Sequence, residues 1–431
     1  MLEAMTVVAI VDSGLNLKHR DITDHLWVNA KEIPSNGVDD DGNGVIDDVH
    51  GFDTFDTAGL KSSLANSGDP QGHGTHVAGI VTTLAPKAEI MPIRMLDANG
   101  NGLLSDALFG WSYALDNGAK VINNSFGIVG SATSEFSFME EALRIGREKH
   151  GAVFIAAAGN TSNNNDVIPC TPANVPGMIS VGATSWTGDV ASFSNYGRKS
   201  VDLFAPGENI LSADAFSLTN RSRKSGTSQA APMVAAFAAN VLAKKPKSKP
   251  AFVERQLFKQ LESSSELANK SQTGGELADK HTKKVTHAAS SRQARRLERT
   301  ASSSLVNFGR FIGVVDESNG MTQQDVTDQL MCSNMRFVEE VKWPFDNIAV
   351  FFLDQSSNKV LQNEKNFRRS QRVLDTPWQL EKNIKRIKKM GLFKEVEWDA
   401  YVTQLSSEDS SFLNIEAPWN TDLIDAQPSE F

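Results

Sequence analysis

Three residues of this chain could together make an activated nucleophile. Ser228 lies in Gly226-Thr227-Ser228-Gln229-Ala230-Ala231-Pro232, Asp12 ends Val7-Val8-Ala9-Ile10-Val11-Asp12, and His73 stands in Gly72-His73-Gly74-Thr75-His76. A serine hydroxyl attacks poorly at neutral pH until an imidazole takes its proton and a carboxylate orients that imidazole. With all three in reach, the chemistry would be acyl transfer through a serine ester.

The flanking residues say which elements must present these groups. Thr6 to Val11 is a run of β-branched and small apolar residues, the pattern of a strand buried on both faces of a parallel sheet, and Asp12-Ser13-Gly14 ends it in a turn. An acid at the carboxyl end of such a strand lies where open α/β sheets keep their sites. Glycines on both sides leave the His73 ring unobstructed, and Val77 to Leu84 has the spacing of a helix packed on a sheet. His76, three residues on, is turned by roughly 300° on that helix and is read as structural. Gly226 permits a tight turn before Ser228, and the alanines, Met233, Val234 and Phe237 begin a long apolar helix with Pro232 in its first turns.

The blocks Asp12-Ser13-Gly14, His73-Gly74-Thr75-His76-Val77-Ala78-Gly79, Asn123-Asn124-Ser125-Phe126-Gly127, Ala156-Ala157-Ala158-Gly159-Asn160 and Gly226-Thr227-Ser228 resemble, in that order, the subtilases, the subtilisin-like serine peptidases. The likeness covers most of residues 5–285. It implies Asp12 as the residue orienting the imidazole, His73 as general base and then acid, Ser228 as nucleophile and Asn160 as donor to the oxyanion. It also implies that Ser125, Phe126 and Gly127 pair with an extended polypeptide substrate, and that Ala158 and Gly159 line the primary pocket. The sequence departs from the family's usual pattern at Gln229 (commonly methionine), Met233 (frequently histidine) and Ala236 (commonly glycine), none of which removes a reactive group. Two other classes share these residues: a catalytically dead binding protein on the same fold, and a latent or truncated zymogen held by its own C-terminal region.

Asp39-Asp40-Asp41-Gly42-Asn43-Gly44-Val45-Ile46-Asp47-Asp48 resembles the first nine positions of an EF-hand loop, with Asp39, Asp41, Asn43 and Asp47 as oxygen ligands. The twelfth position is His50, so no bidentate glutamate closes it. The expectation is a structural calcium site and no organic cofactor.

Composition bounds the rest. The chain has 431 residues, 40% of them hydrophobic, and a net charge of −9. That length suits one large domain and a smaller one. Residues 244–310 carry 15 basic and 6 acidic side chains, whereas the rest of the chain is acidic. The basic stretch is rich in serine and alanine without interleaved aromatics, which reads as a solvated linker and not as a nucleic-acid arm. Arg295-Arg296 within it is a candidate dibasic cleavage point. Two cysteines, Cys170 and Cys332, are too few for a disulfide scaffold, and their pairing stays open. No run of 18 apolar residues exists, so no membrane span is expected.

The layout is then an α/β domain over 1–285, a parallel sheet with helices on both faces, followed by a linker over 286–340 and a small α+β region over 341–431. In the last, the strand Ile348–Leu353, a basic amphipathic helix over Trp378–Met390, and a short turn and final strand over Leu392–Val402 resemble the small propeptides that inhibit subtilases. Pro418-Trp419-Asn420 and Leu423-Ile424-Asp425-Ala426 resemble the segment that joins such a propeptide to a mature domain. The family resemblance implies secretion or export. Neither a signal peptide nor a propeptide precedes Val7–Val11 in this sequence, so a shortened start or an unusual maturation is expected.

Overall fold

A computed structural model describes residues 5–54, 62–63, 68–130, 137–286, 309–315, 321–331, 342–345, 348–353, 387–390, 392–398 and 401–404. Arg295-Arg296, Cys332, most of Trp378–Met390 and residues 418–426 lie outside them. The chain forms two compact units, one from residues up to 299 together with 400–408, the other from 300–399 and the residues after 408.

In the first unit the elements run β1 (Thr6–Asp12), β2 (Phe52–Asp53), β3 (Ser62–Ser63), α1 (His73–Leu84), β4 (Ala88–Arg94), β5 (Asn101–Leu103), α2 (Leu104–Asp116), β6 (Val121–Asn124) and β7 (Phe126–Val129). They continue with α3 (Ser137–Glu148), β8 (Val153–Ala157), β9 (Cys170–Thr171), β10 (Ile179–Thr184), β11 (Leu203–Pro206), the hairpin β12 (Ile210–Ala213) and β13 (Arg221–Lys224), and α4 (Thr227–Lys244). Last come α5 (Pro250–Phe258), β14 (Leu261–Ser263), β15 (Gly275–Leu277) and α6 (Asp279–Thr286).

Ten strands make one sheet in the order β14-β15-β11-β10-β8-β6-β1-β4-β2-β3, parallel except at the β14–β15 and β2–β3 ends. Val8, Ala9, Ile10 and Val11 of β1 are all buried, as a strand covered on both faces requires. From β1 the chain crosses through α1 to β4 on one side, then through α2 to β6 on the other. Crossovers of one hand that run in opposite directions put α1 and α2 on opposite faces. The reversal falls at the carboxyl end of β1, where Asp12 is: the switch point at which such sheets open a crevice.

Helix α4 packs across β6, β8 and β10 and against α1. Its small residues Ala230, Ala231, Ala235 and Ala238 are buried, letting its backbone approach the sheet. Pro232 lacks the N–H that would bond the Ser228 carbonyl one turn back. The Ser125 hydroxyl donates to that carbonyl instead, at 3.2 Å.

The second unit contains β16 (Gly309–Val315), α7 (Gln323–Met331), β17 (Lys342–Phe345), β18 (Ile348–Leu353) and β19 (Phe393–Trp398), with the antiparallel order β17-β18-β16-β19. β16 and α7 lie in the stretch read from composition as linker. The basic Ser/Ala-rich character stops near 310, and Ile312, Val314 and Val315 are buried strand residues. A last strand, β20 (Tyr401–Gln404), belongs to the first unit: it pairs antiparallel with β5 on one side and β7 on the other, in a small sheet ordered β5-β20-β7-β9.

Candidate active site

Asp12 and His73 meet at the switch point. Asp12 Oδ1 lies 2.8 Å from His73 Nδ1, and both side chains are fully buried. The contact depends on close approach of α1 to the end of β1. A Cβ at Gly74 would stand 2.2 Å from the Gly14 carbonyl oxygen and 3.2 Å from Asp12 Cβ, so only glycine fits there. The Ser13 N–H also donates to Asp12 Oδ1 at 2.8 Å. His73 Nε2 is buried and has no hydrogen-bond partner among the described residues.

Asp69 organises this corner and was not singled out from the sequence. Its carboxylate accepts from Ser13 Oγ (2.8 Å), Gly72 N–H (2.7 Å), Thr75 N–H (2.8 Å) and Thr75 Oγ1 (2.6 Å). It thereby does for the first turn of α1 what an N-cap side chain would do, since Gly72 at the cap has none. The legible signal was an acid four residues before His73.

His76 faces away from the pair, as its position on α1 requires. Its Nε2 lies 3.2 Å from the Ser222 carbonyl, and it is fully buried. Burial first, then the nearby Lys224 and His73 charges, lower its pKa from 6.5 to about 3.

Ser228 begins α4, and its Oγ donates to the Ser125 carbonyl at 3.0 Å. Asn160 stands beside it in the chain of contacts through Thr227. The Thr227 N–H and the Thr227 hydroxyl both donate to Asn160 Oδ1, each at 2.9 Å. Thr227 Oγ1 in turn accepts from the Gly159 N–H at 3.1 Å. With its oxygen doubly held, the Asn160 amide can only present Nδ2, which is buried and has no partner among the described residues. That leaves a buried N–H donor held in a fixed direction.

Asn195 holds the loop around Asn160 and was also missed. Its Oδ1 accepts from Thr161 N–H (2.9 Å), Thr161 Oγ1 (3.0 Å) and Asn163 N–H (3.1 Å), while Nδ2 donates to the Ala158 carbonyl (3.1 Å). Gly159 is at φ +111°, and a Cβ there would stand 2.3 Å from Asn195 Nδ2. Of the residues expected to bind substrate, Ala158 is buried, Phe126 and Gly127 open β7, and Ser125 joins β6 to β7. Cys170 is a free, buried thiol in β9, which pairs with β7; burial raises its pKa to about 12.

The acidic loop is gathered differently from the expected spacing. Asp39 and Asp41 converge with Glu32, one carboxylate oxygen of each lying within 4.8 Å of the others. Asp47, at φ +54°, turns to accept from the Asn36 and Gly37 N–H groups, and Asn43 donates to Asp48 and accepts from the Val45 N–H. Asp48 is buried, accepts from Tyr113, Asn29 and Asn43, and anchors the loop to α2. Glu32 is 6% exposed and its Oε2 is buried without a partner among the described residues. Three close carboxylates, one with an orphaned oxygen, suit a hard cation such as calcium.

No helix among the described residues is long and apolar enough to cross a membrane. The model of the subtilase family matches residues 4–290. The extracellular serine proteinase of Thermus sp. (strain Rt41A) is 35% identical over 255 residues, which is 58% of this chain and 53% of that protein. The cell wall-associated protease of Bacillus subtilis (strain 168) is 40% identical over 221 residues, 49% of this chain and 23% of that protein. This chain thus spans about half the length, or less, of these relatives. A crystal structure of a cold adapted subtilisin-like serine proteinase superposes with a TM-score of 0.51 at 26% identity, covering 64% of this chain and 89% of that one.

Proposed function

The chain belongs to the subtilase family, and on that premise we propose that it is a serine endopeptidase using Asp12, His73 and Ser228. The observation that carries the reading is the buried 2.8 Å contact between Asp12 and His73, with His73 Nε2 unpartnered among the described residues. Ser228 Oγ attacks the scissile carbonyl as His73 Nε2 takes its proton. Asp12 holds Nδ1–H and balances the imidazolium, and Asn160 Nδ2 donates to the oxyanion. His73 then protonates the departing amine, and water cleaves the ester by the reverse path.

An extended polypeptide is the substrate, paired by backbone with the edges of β5 and β7, a mode that gives affinity with little selectivity. The small residues Ala156 to Gly159 leave a primary pocket for a large apolar side chain. Glu32, Asp39 and Asp41 hold calcium, which ties the acidic loop together. The protein works outside the cytoplasm, in line with the printed name of the Thermus relative.

A second reading is favoured by strand β20, which takes the place between β5 and β7 where such a substrate would pair: the full chain is a latent form.

The test compares Thr403→Pro with Thr403→Pro/Ser228→Ala. The Thr403→Pro variant, with β20 displaced, should label with a fluorophosphonate probe and cut a chromogenic peptide, whereas Thr403→Pro/Ser228→Ala should do neither while keeping the melting temperature of Thr403→Pro. Peptidase activity in Thr403→Pro/Ser228→Ala within tenfold of Thr403→Pro removes the assignment.

A further inference from the structure

The basic stretch of the sequence begins inside the first unit, between the end of α4 and the start of α5, where Lys244, Lys245, Lys247 and Lys249 fill four of six positions. Lys247 and Lys249 line a groove of about 650 Å³ together with Lys120, Arg147 and Lys149. Glu148 is the one acid among the described residues that line it, and it is paired with Arg144. Residues 1–243 as a whole carry 15 basic and 26 acidic side chains, so this is a cationic hollow on an acidic body.

Some of these cations answer local needs. Lys120 Nζ donates to the His150 carbonyl at 2.6 Å, and Arg147 reaches the Gly177 carbonyl at 2.8 Å and Glu254 at 2.7 Å. Lys149 follows the carboxyl end of α3, and Lys244 and Lys245 stand at that of α4, where cations offset the helix dipole. Lys249 is placed the other way. It caps the amino end of α5, which has no side-chain cap and no acid in its first turn. A cation there adds to the positive end of a dipole that favours an anion. Lys120 precedes β6 and Gly151 precedes β8, and both strands run parallel with β1. The groove therefore lies at the amino ends of the strands, at the opposite edge of the sheet from Asp12.

The lining chooses among anions. Among the described residues it has no phenylalanine, tyrosine or tryptophan on which a nucleic-acid base could stack. Its one guanidinium is engaged, which leaves lysine ammonium groups, point charges without a bidentate fit to phosphate. Pro246, Pro250 and Ala251 complete a concave wall, without the large apolar side chains that enter a bilayer. Point charges along a trough suit a linear polymer bearing single charges at intervals. We propose that this groove binds a sulfated polysaccharide, holding the protein on an anionic matrix from the side opposite Asp12 and His73. The proposal stands apart from the reading of Ser228 as nucleophile.

The full chain carrying Ser228→Ala, used to keep it whole, is titrated with dextran sulfate and with uncharged dextran. Dextran sulfate should bind at about 0.05 M salt and weaken at least tenfold by about 0.2 M, as released counterions require, and dextran should not bind. Lys247 and Lys249 are exposed, so Lys247→Glu/Lys249→Glu should keep the melting temperature and weaken binding at least tenfold. Lys247→Gln/Lys249→Gln should weaken it by less. Arg295→Glu/Arg296→Glu makes the same change of charge in the basic stretch downstream and should bind as its parent does. Absence of dextran sulfate binding at low salt overturns the proposal. So does a glutamine pair that binds as tightly as its parent, or an equal loss in the Arg295/Arg296 variant. Tighter binding of single-stranded DNA, or of phosphatidylserine vesicles, than of dextran sulfate overturns the polysaccharide as the ligand.

Discussion

Ser125 and Ser228 exchange hydrogen bonds. The Ser228 hydroxyl donates to the Ser125 carbonyl at 3.0 Å, and the Ser125 hydroxyl donates to the Ser228 carbonyl at 3.2 Å. The second bond exists because Pro232 has no N–H to offer that carbonyl. Thus the residue joining β7 to β6 also completes the first turn of α4.

Removing the Ser125 hydroxyl should therefore cost about 1 kcal/mol of stability. The cost should shrink when Pro232→Ala restores a helical N–H. Urea unfolding of the two single variants and the double variant measures the coupling. A Ser125→Ala cost that is the same with and without Pro232→Ala would show the two sites to be independent.

Asn160→Ala should lower kcat by about two to three orders of magnitude with little change in KM, since the donor acts on charge that appears only in the transition state. Thr227→Val removes one of the two hydrogen bonds that aim the Asn160 amide and keeps the backbone one. It should lower kcat by about tenfold, again at constant KM. A rise in KM with kcat untouched would instead make Thr227 a substrate-binding residue.

His76 sets an acid limit. Folded, its pKa is about 3, against 6.5 without the protein's influence. Between those values the unfolded chain binds a proton that the folded chain refuses, so stability falls as pH drops from about 6.5 toward about 3. Melting temperatures of Ser228→Ala and of Ser228→Ala/His76→Gln at pH 7.5 and 4.5 isolate this share. The double variant should lose less on acidification, and an equal loss would clear His76 of the effect.

Chelation should lower the melting temperature by mass action if Glu32, Asp39 and Asp41 hold calcium. Asp41→Ala should abolish that response, whereas Asp47→Ala should weaken the loop yet keep it. Chelator-insensitive melting of the wild type would return the loop to a solvated acidic turn held by its own N–H groups.

Gln229 is buried next to Ser228 in the chain, and both polar atoms of its amide lack partners among the described residues. An unsatisfied buried amide is costly, so Gln229→Met should raise stability by about 1 kcal/mol. The same variant should be inactivated faster by peroxide, because the sulfoxide is bulkier and polar. Equal peroxide inactivation of both proteins would shift suspicion to Met233.

The sequence alone determined the family and the fold, and it singled out Asp12, His73 and Ser228. A buried β-branched strand ending in Asp12, a histidine between glycines at a helix start and a serine before an alanine-rich helix are local patterns, each decided by neighbours within a few positions. The long strands and helices were legible for the same reason. The hairpin β12–β13 was not, because Arg221-Ser222-Arg223-Lys224 has no apolar alternation to mark a strand.

Only the tertiary structure decided which polar groups meet across distance. Asp69 reaches Thr75 and Ser13, Asn195 reaches Thr161, and Thr227 reaches Asn160 across 67 positions. The acidic loop shows why spacing was insufficient: the left-handed turn at Asp47 sends its carboxylate to backbone N–H groups, and Glu32, outside the motif, takes up the cluster. Strand β20 is the largest such case. Tyr401-Val402-Thr403-Gln404 reads as a strand from its own residues, but a strand's partners are set by which edges stand open. Here these are β5 and β7, about 300 and 275 positions earlier in the chain.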